Sequence, residues 1–126
     1  MRVAGYAAVF SVRDRSGDVI APGAFGHVEP VPLLHGHRGG AVGRIDAIGE
    51  DARGLRIEAV VEDAGVAALV RGGALRGLSV GYRPVLVEQG ARRVLRRVTL
   101  IEVSLVAVPM QALARVDEVF NEEEYA

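Results

Sequence analysis

A serine between two glycines is the first candidate for chemistry in this chain of 126 residues. Ser79 is the centre of GLSVG (residues 77–81), which fits the G-x-S-x-G pattern of a nucleophilic serine. In α/β-hydrolases a helix follows that serine, and the histidine comes later in the chain. Here a strand-like run containing Pro84 follows, and every histidine precedes the serine. The motif therefore excludes an α/β-hydrolase and leaves two interpretations, a nucleophile or a small residue in a tightly packed strand.

A serine hydroxyl attacks a carbonyl efficiently only when a base takes its proton, and histidine is the usual base near neutral pH. The chain has three histidines, His27, His35 and His37. His35 and His37 are two positions apart, so in an extended segment both side chains point to the same side. Such a pair also suits a metal ion, but no third ligand has a suitable spacing. Exposed loop histidines are the remaining alternative.

A catalytic imidazole needs an acceptor that fixes its tautomer and stabilises its charged form. Glu102 is the candidate because it lies in the apolar run TLIEVSLV (residues 99–106). Burying a carboxylate is costly unless the charge is paired, so an inward Glu102 predicts a partner. An outward Glu102 that pairs with Arg96 or Arg97 is an equally open alternative.

Composition excludes several other kinds of function. Half of the residues are hydrophobic, and the formal net charge of −1 provides no bulk attraction for nucleic acid. The absence of cysteine excludes disulfides, thiolate catalysis and cysteine-ligated zinc. No apolar run approaches the roughly 20 residues that span a bilayer. We therefore expect one intracellular domain with no cofactor, no metal site, and neither nucleic acid nor membrane as a partner.

Short strands dominate the elements that must position these side chains. Residues 3–10, 42–48 and 94–108 are apolar and rich in strand formers, and apolar residues alternate with charged ones from Leu55. Pro84 indicates an edge strand or a bulge. Strands at spacings near ten residues predict a mainly β fold with one or two short helices (α+β), either a compact antiparallel β-barrel or a sandwich.

One helix of roughly ten residues is predicted after Asp63, which suits an N-cap, and before Gly72 and Gly73, which suit a C-terminal stop. The buried stripe expected on this helix consists of Val66, Leu69 and Val70. Residues 115–126 are acidic and weakly periodic, so a frayed helix or a tail is expected there.

Four motifs together resemble the prohead (procapsid maturation) proteases of tailed bacteriophages. These motifs are GYAAVF with GDVI and PGAF (within residues 5–25), LLHGH (33–37), GALRGLSVGY (73–82) and EVSLV followed by Pro109. They occur in the order of that family and cover nearly the whole chain, from about residue 4 to 116.

The resemblance implies a fold like the herpesvirus assembly proteases, a compact antiparallel β-barrel decorated by helices. It assigns the protease domain to residues 1–116 and an acidic C-terminal tail to residues 117–126. It also implies Ser79 as nucleophile, His37 as base and Glu102 as third member, with His35 the alternative base. A backbone N–H near Met110 is expected to stabilise the oxyanion.

The function implied is a serine endopeptidase that cleaves capsid or scaffold protein segments during procapsid maturation in a phage or a gene transfer agent. Self-processing is implied as well, and so is a location in the cytoplasm of the bacterial host, inside the assembling procapsid. A homodimer is left open, since the herpesvirus relatives act as dimers and no dimer patch is recognisable in the sequence.

Two competing functions remain open from the sequence. A non-catalytic β-barrel that serves as a capsid-assembly or scaffold module predicts that His37 and Ser79 lie too far apart to share a hydrogen bond. A metal-dependent hydrolase that uses His35 and His37 predicts sensitivity to chelators.

Overall fold

The computed structural model describes residues 1–120, which form eight strands and one helix. The elements in chain order are β1 (Arg2–Val9), β2 (Asp18–Ile20), β3 (Leu33–His35), β4 (Arg38–Glu50), β5 (Gly54–Val61), α1 (Ala64–Arg71), β6 (Gly77–Gln89), β7 (Arg93–Val106) and β8 (Arg115–Phe120). The strands pair in the order β2-β7-β3-β4-β5-β1-β8-β6, and β6 also pairs with β7. That last pairing closes seven strands into a barrel and leaves β2 at the side of β7. The predicted mainly β barrel is confirmed.

Strand β7 is the one strand of the barrel with two parallel partners. Its first residues pair with β2 and its last residues pair with β3, both in parallel, whereas the other strand pairings are antiparallel. The sequence predicted only antiparallel neighbours, because periodicity shows that a strand exists but not which distant strand lies beside it. As a result, the end of β3 lies directly against the end of β7.

The inward face of β5 is the centre of the core. Leu55, Ile57 and Ala59 are completely buried and Val61 nearly so, as the alternating pattern predicted. On the opposite face Glu58 is exposed. Burial of such apolar side chains is the main favourable term in folding, so this face fixes the register of β5.

Helix α1 begins and ends where the sequence predicted. The Asp63 side chain accepts a hydrogen bond of 2.9 Å from the backbone N–H of Val66, and Gly72 is the C-cap. The buried stripe differs in one position, because Leu69 is 42% exposed while Ala67 is buried beside Val66 and Val70. The contact surface of the helix is thus rotated away from Leu69.

The expectation of a helix or tail after residue 115 is wrong for the residues that the structure describes. Strand β8 pairs with β1, with Glu118 opposite Ala4 and Val116 opposite Gly5, so one extra residue bulges out between them. This bulge gives the strand a spacing of three between its apolar residues Val116 and Val119, which resembles a helical period. The expected domain boundary at residue 116 therefore falls inside β8, and residues 121–126 lie outside the described part.

We expect Asp63→Ala to lower the free energy of unfolding by about 1 kcal/mol, because the first turn of α1 loses its cap. Asp63→Ser is the matched control, since a serine hydroxyl caps the same N–H group. Urea denaturation of the three proteins measures the difference. Equal stability of the alanine variant and the parent chain would contradict the capping role.

Candidate active site

Strands β6 and β7 place the serine motif beside the predicted carboxylate. In their antiparallel register Ser79 is opposite Ser104, and Gly81 is opposite Glu102. Ser79 and Glu102 are 7% and 6% exposed, and Ser104 is completely buried. Two motifs that are 23 positions apart in the sequence therefore meet on one small patch of the barrel wall.

His37 lies in the two-residue turn that joins β3 to β4. Gly36 and His37 have φ angles of 63° and 64°, so both central residues are left-handed, the backbone pattern of a type I′ hairpin. A non-glycine residue rarely adopts this conformation without other contacts that hold it. The prediction that His35 and His37 share one side of an extended segment is wrong, because the chain reverses direction between them.

Two backbone hydrogen bonds fasten this turn to the end of β7. The N–H of Gly36 donates to the carbonyl oxygen of Leu105 at 3.0 Å, and the N–H of His37 donates to the hydroxyl oxygen of Ser104 at 2.9 Å. Both contacts depend on the parallel pairing of β3 with β7. The left-handed conformation of His37 is thereby held from outside the turn.

The imidazole of His37 is hydrogen-bonded to the buried carboxylate of Glu102, through Nδ1 and Oε1. The other carboxylate oxygen, Oε2, accepts a hydrogen bond of 2.7 Å from the hydroxyl of Ser104. Both oxygens of this buried group are therefore paired, as its desolvation requires. The alternative of an outward Glu102 beside Arg96 is wrong, and Arg96 pairs with Glu88 instead, at 3.0 Å.

This contact assigns the roles of the two ring nitrogens. An ionised carboxylate only accepts hydrogen bonds, so Nδ1 of His37 carries the proton that it donates to Glu102. The neutral ring then presents Nε2 as an acceptor, the atom that a general base uses. The side chain of His37 is 43% exposed, so this part of the ring is accessible.

Ser79 and His37 border the same two cavities. The more enclosed cavity has a volume of about 120 Å³, and the more open one has a volume of about 430 Å³. The hydrogen bonds within residues 1–120 include none between the Ser79 hydroxyl and the His37 ring. Catalytic contacts of unliganded enzymes are often long and tighten when substrate binds. The structure thus brings Ser79 and His37 to one site without joining them.

The other histidines lie elsewhere. His27 forms a surface pair with Glu29 at 3.2 Å, where both side chains are at least 80% exposed. His35 is exposed and borders neither cavity at Ser79. In the part of the chain that the structure describes, no group of three or more histidine, cysteine or acidic side chains is arranged to hold a metal ion.

Both glycines of the serine motif are required by close contacts. A Cβ atom on Gly81 would lie 2.3 Å from Oε1 of Glu102, and one on Gly77 would lie 2.8 Å from Cδ of Pro109. Tight packing of this strand was one of the two interpretations of the motif. It applies to the glycines, and at Gly81 it makes room for the carboxylate that binds His37.

The sequence did not reveal three residues that complete the site. Ser104 had a usable signal, because it is two positions from Glu102 and therefore on the same face of β7. Gln111 and Asp14 lie in loops, where no periodicity marks them. Gln111 exchanges two hydrogen bonds of 2.8 Å with the backbone of Val9, which anchors the loop that carries Met110.

Met110, near which an oxyanion donor was expected, borders both cavities at Ser79. Its carbonyl oxygen accepts a hydrogen bond of 2.9 Å from the N–H of Arg15. This contact connects two loops at the rim of the site. The role of a nearby backbone N–H in stabilising an oxyanion stays a prediction.

We expect Gly81→Ala to displace the Glu102 carboxylate and to break its contact with His37, because the new methyl group needs the space of Oε1. The low-field proton NMR resonance of a histidine Nδ1–H bound to a carboxylate is the measurement. It should be present in the parent chain and absent in Gly81→Ala. Gly49→Ala is the control, since a Cβ on Gly49 meets nothing within 4 Å. An unchanged resonance in Gly81→Ala would contradict this steric account.

Comparisons with known proteins identify the family of the chain. The profile of the caudovirus prohead serine protease family matches residues 1–126. The prohead protease of Enterobacteria phage HK97 is 32% identical in a 90-residue alignment, which covers 62% of this chain and 40% of that protein. The chain thus spans less than half the length of this curated relative.

The fold is shared with a solved herpesvirus protease structure. The KSHV protease, in a crystal structure with a hexapeptide phosphonate inhibitor, aligns with a TM-score of 0.58 and 15% identity over 87% of this chain and 60% of that one. The varicella-zoster virus protease aligns with a TM-score of 0.49 and 22% identity over 79% of this chain and 56% of that one. From the match along its whole length, the chain belongs to the caudovirus prohead serine protease family.

Proposed function

We propose that this chain hydrolyses peptide bonds with Ser79 as nucleophile, His37 as general base and Glu102 as the carboxylate that orients the imidazole. The observation that carries the proposal is the hydrogen bond from His37 to the buried carboxylate of Glu102, because His37 borders the same two cavities as Ser79. A carboxylate, an imidazole and a serine in this arrangement have the parts of a serine-protease triad. Family membership supports the same activity.

In the proposed reaction, the oxygen of Ser79 attacks the scissile carbonyl while Nε2 of His37 takes the hydroxyl proton. The tetrahedral intermediate collapses when His37 gives this proton to the leaving amine, and an acyl-enzyme remains. Water then attacks the ester, with His37 again as base, and the carboxylic acid product leaves. Glu102 holds the ring and stabilises its positive charge in both steps, and this stabilisation is strong because the carboxylate is buried.

We expect Glu102→Gln to lower kcat by roughly 10³- to 10⁴-fold, as loss of the orienting carboxylate does in other triads. An amide nitrogen that faces His37 donates a hydrogen bond, so Nδ1 must accept it and the ring proton moves to Nε2. In that tautomer Nε2 cannot take the proton of Ser79. Steady-state hydrolysis of a capsid-precursor substrate measures the change, and thermal unfolding shows whether the variant is folded. A folded variant with an unchanged kcat would remove Glu102 from the mechanism.

The substrate proposed is a polypeptide segment of a capsid or scaffold protein, cleaved during procapsid maturation. Support comes from the family and from the HK97 relative, which is a prohead protease. The proposed location is the interior of the assembling procapsid in the host cell. No helix within residues 1–120 is both long and apolar enough to span a membrane. Self-processing, a gene transfer agent as source and a homodimer stay predictions.

A non-catalytic capsid-assembly module is the second candidate, because Ser79 and His37 share no hydrogen bond in this structure. The two functions differ in the reactivity of Ser79. In an inert module its hydroxyl is an ordinary alcohol, whereas a triad makes it a strong nucleophile.

A fluorophosphonate label distinguishes these functions, and we expect it to react with Ser79 and to abolish peptide hydrolysis. Peptide mapping by mass spectrometry locates the label. Ser79→Ala should lose both labelling and hydrolysis and remain folded. Ser11→Gly is the control, because it removes an exposed hydroxyl at a position whose φ of 62° suits glycine. Hydrolysis of a capsid precursor by the Ser79→Ala variant would contradict the proposal.

A further inference from the structure

The enclosed cavity beside Ser79 has the size of a subsite for one side chain. Its volume of about 120 Å³ is somewhat smaller than that of an engineered cavity of about 150 Å³ that binds benzene. Ser79 and His37 both border it, so a group inside this cavity lies next to the bond that is cleaved. Apolar side chains supply part of its wall, namely Ala7, Ile20, Leu78, Val80, Met110 and Ala114.

Asp14 supplies a carboxylate to this cavity from the loop between β1 and β2. The residue is only 8% exposed. Its Oδ1 atom accepts hydrogen bonds from the N–H and hydroxyl of Ser16, at 2.9 and 2.7 Å, and from the N–H of Asp18, at 2.9 Å. One oxygen of the carboxylate is therefore committed to the structure of the loop.

The other oxygen of Asp14, Oδ2, is available to a ligand. Among the hydrogen bonds of residues 1–120 none ends on this atom. In the same part of the chain, no side-chain oxygen sealed from solvent lacks a partner. Oδ2 is consequently accessible, on a side chain that borders the cavity.

Within residues 1–120, no arginine borders this cavity to neutralise Asp14. The nearby Arg93 is 3.8 Å from Asp18, and Arg15 borders the open cavity and not the enclosed one. His37 is the one basic side chain among the residues that line the cavity, and its Nδ1 is bound to Glu102. Tyr82, on the cavity wall, has a pKa raised first by burial and then by the Asp14 and Asp18 carboxylates, while Arg93 lowers it. Asp14 is the one acidic side chain among the described residues that line the cavity.

We propose that this cavity binds the basic side chain of an arginine or lysine residue that flanks the scissile bond, with Oδ2 of Asp14 as its counter-ion. The inference rests on the proposed protease function. The methylene groups of such a side chain suit the apolar wall, and its charged end suits the carboxylate. A carboxylate with little exposure and no paired cation gains more from binding a cation than an exposed one does.

The test is a mass-spectrometric map of the sites that the chain cleaves in a mixed peptide library. We expect arginine or lysine at one of the two positions that flank the cleaved bond. Asp14→Asn keeps an Oδ1 acceptor for the loop and removes the charge. It should lower the ratio of kcat/KM for the basic substrate to kcat/KM for a matched methionine substrate by about tenfold or more.

Asp18→Asn is the control variant, because it removes a carboxylate at the start of β2, and Asp18 does not border the cavity. It should keep the preference for basic residues. Cleavage by Ser79 beside neutral residues, without any basic preference, would overturn the subsite and leave the protease function intact. If no peptide is cleaved and Ser79 takes no fluorophosphonate label, the protease function fails and the subsite fails with it.

Discussion

The site depends on the hydrogen bond between the buried carboxylate of Glu102 and the imidazole of His37. Leaving a buried carboxylate without hydrogen-bond partners is costly, so Glu102, which is 6% exposed, holds its partners firmly. Ser104 donates to the second carboxylate oxygen and accepts from the backbone N–H of His37. One hydroxyl thereby links the side chain of Glu102 to the backbone of the histidine that Glu102 orients. His37 is therefore held by its backbone N–H and by Nδ1 of its ring, and Nε2 remains for proton transfer.

Strand β7 brings the residues of the site together. It carries Glu102 and Ser104 on one face, pairs with β6 to bring Ser79 opposite, and pairs in parallel with β3 to receive the turn that contains His37. The turn is left-handed at His37, a conformation that the contacts with β7 hold in place. Gly81 leaves the space that the carboxylate occupies. The fold therefore positions the base through backbone pairing and not through long flexible side chains.

Much of this could be predicted from the sequence, for reasons that are local. Three predicted features depend only on neighbouring residues, and the structure has them all. They are the alternation from Leu55, the helix caps at Asp63 and Gly72, and the bulge near Pro84. Glu102 was a candidate because a carboxylate that points inward from an apolar strand needs a partner, and the resemblance to the family made it the expected third member of the triad. Three other features depend on pairings with distant parts of the chain. They are the parallel direction of the strands beside β7, the left-handed turn at His37, and the bulge that gives β8 a helical spacing. Asp14 lies in a loop, where only the folded structure shows which cavity a side chain borders.

The central claim is that Glu102 orients the imidazole of His37 so that it can take the hydroxyl proton of Ser79. The most direct test is a crystal structure of the chain with a peptide phosphonate attached. The account predicts a covalent bond from phosphorus to the hydroxyl oxygen of Ser79. It also predicts Nε2 of His37 within about 3 Å of an oxygen on that phosphorus, while Nδ1 still contacts Glu102. A phosphonate attached elsewhere, or an imidazole that has left Glu102 and faces solvent, would contradict it.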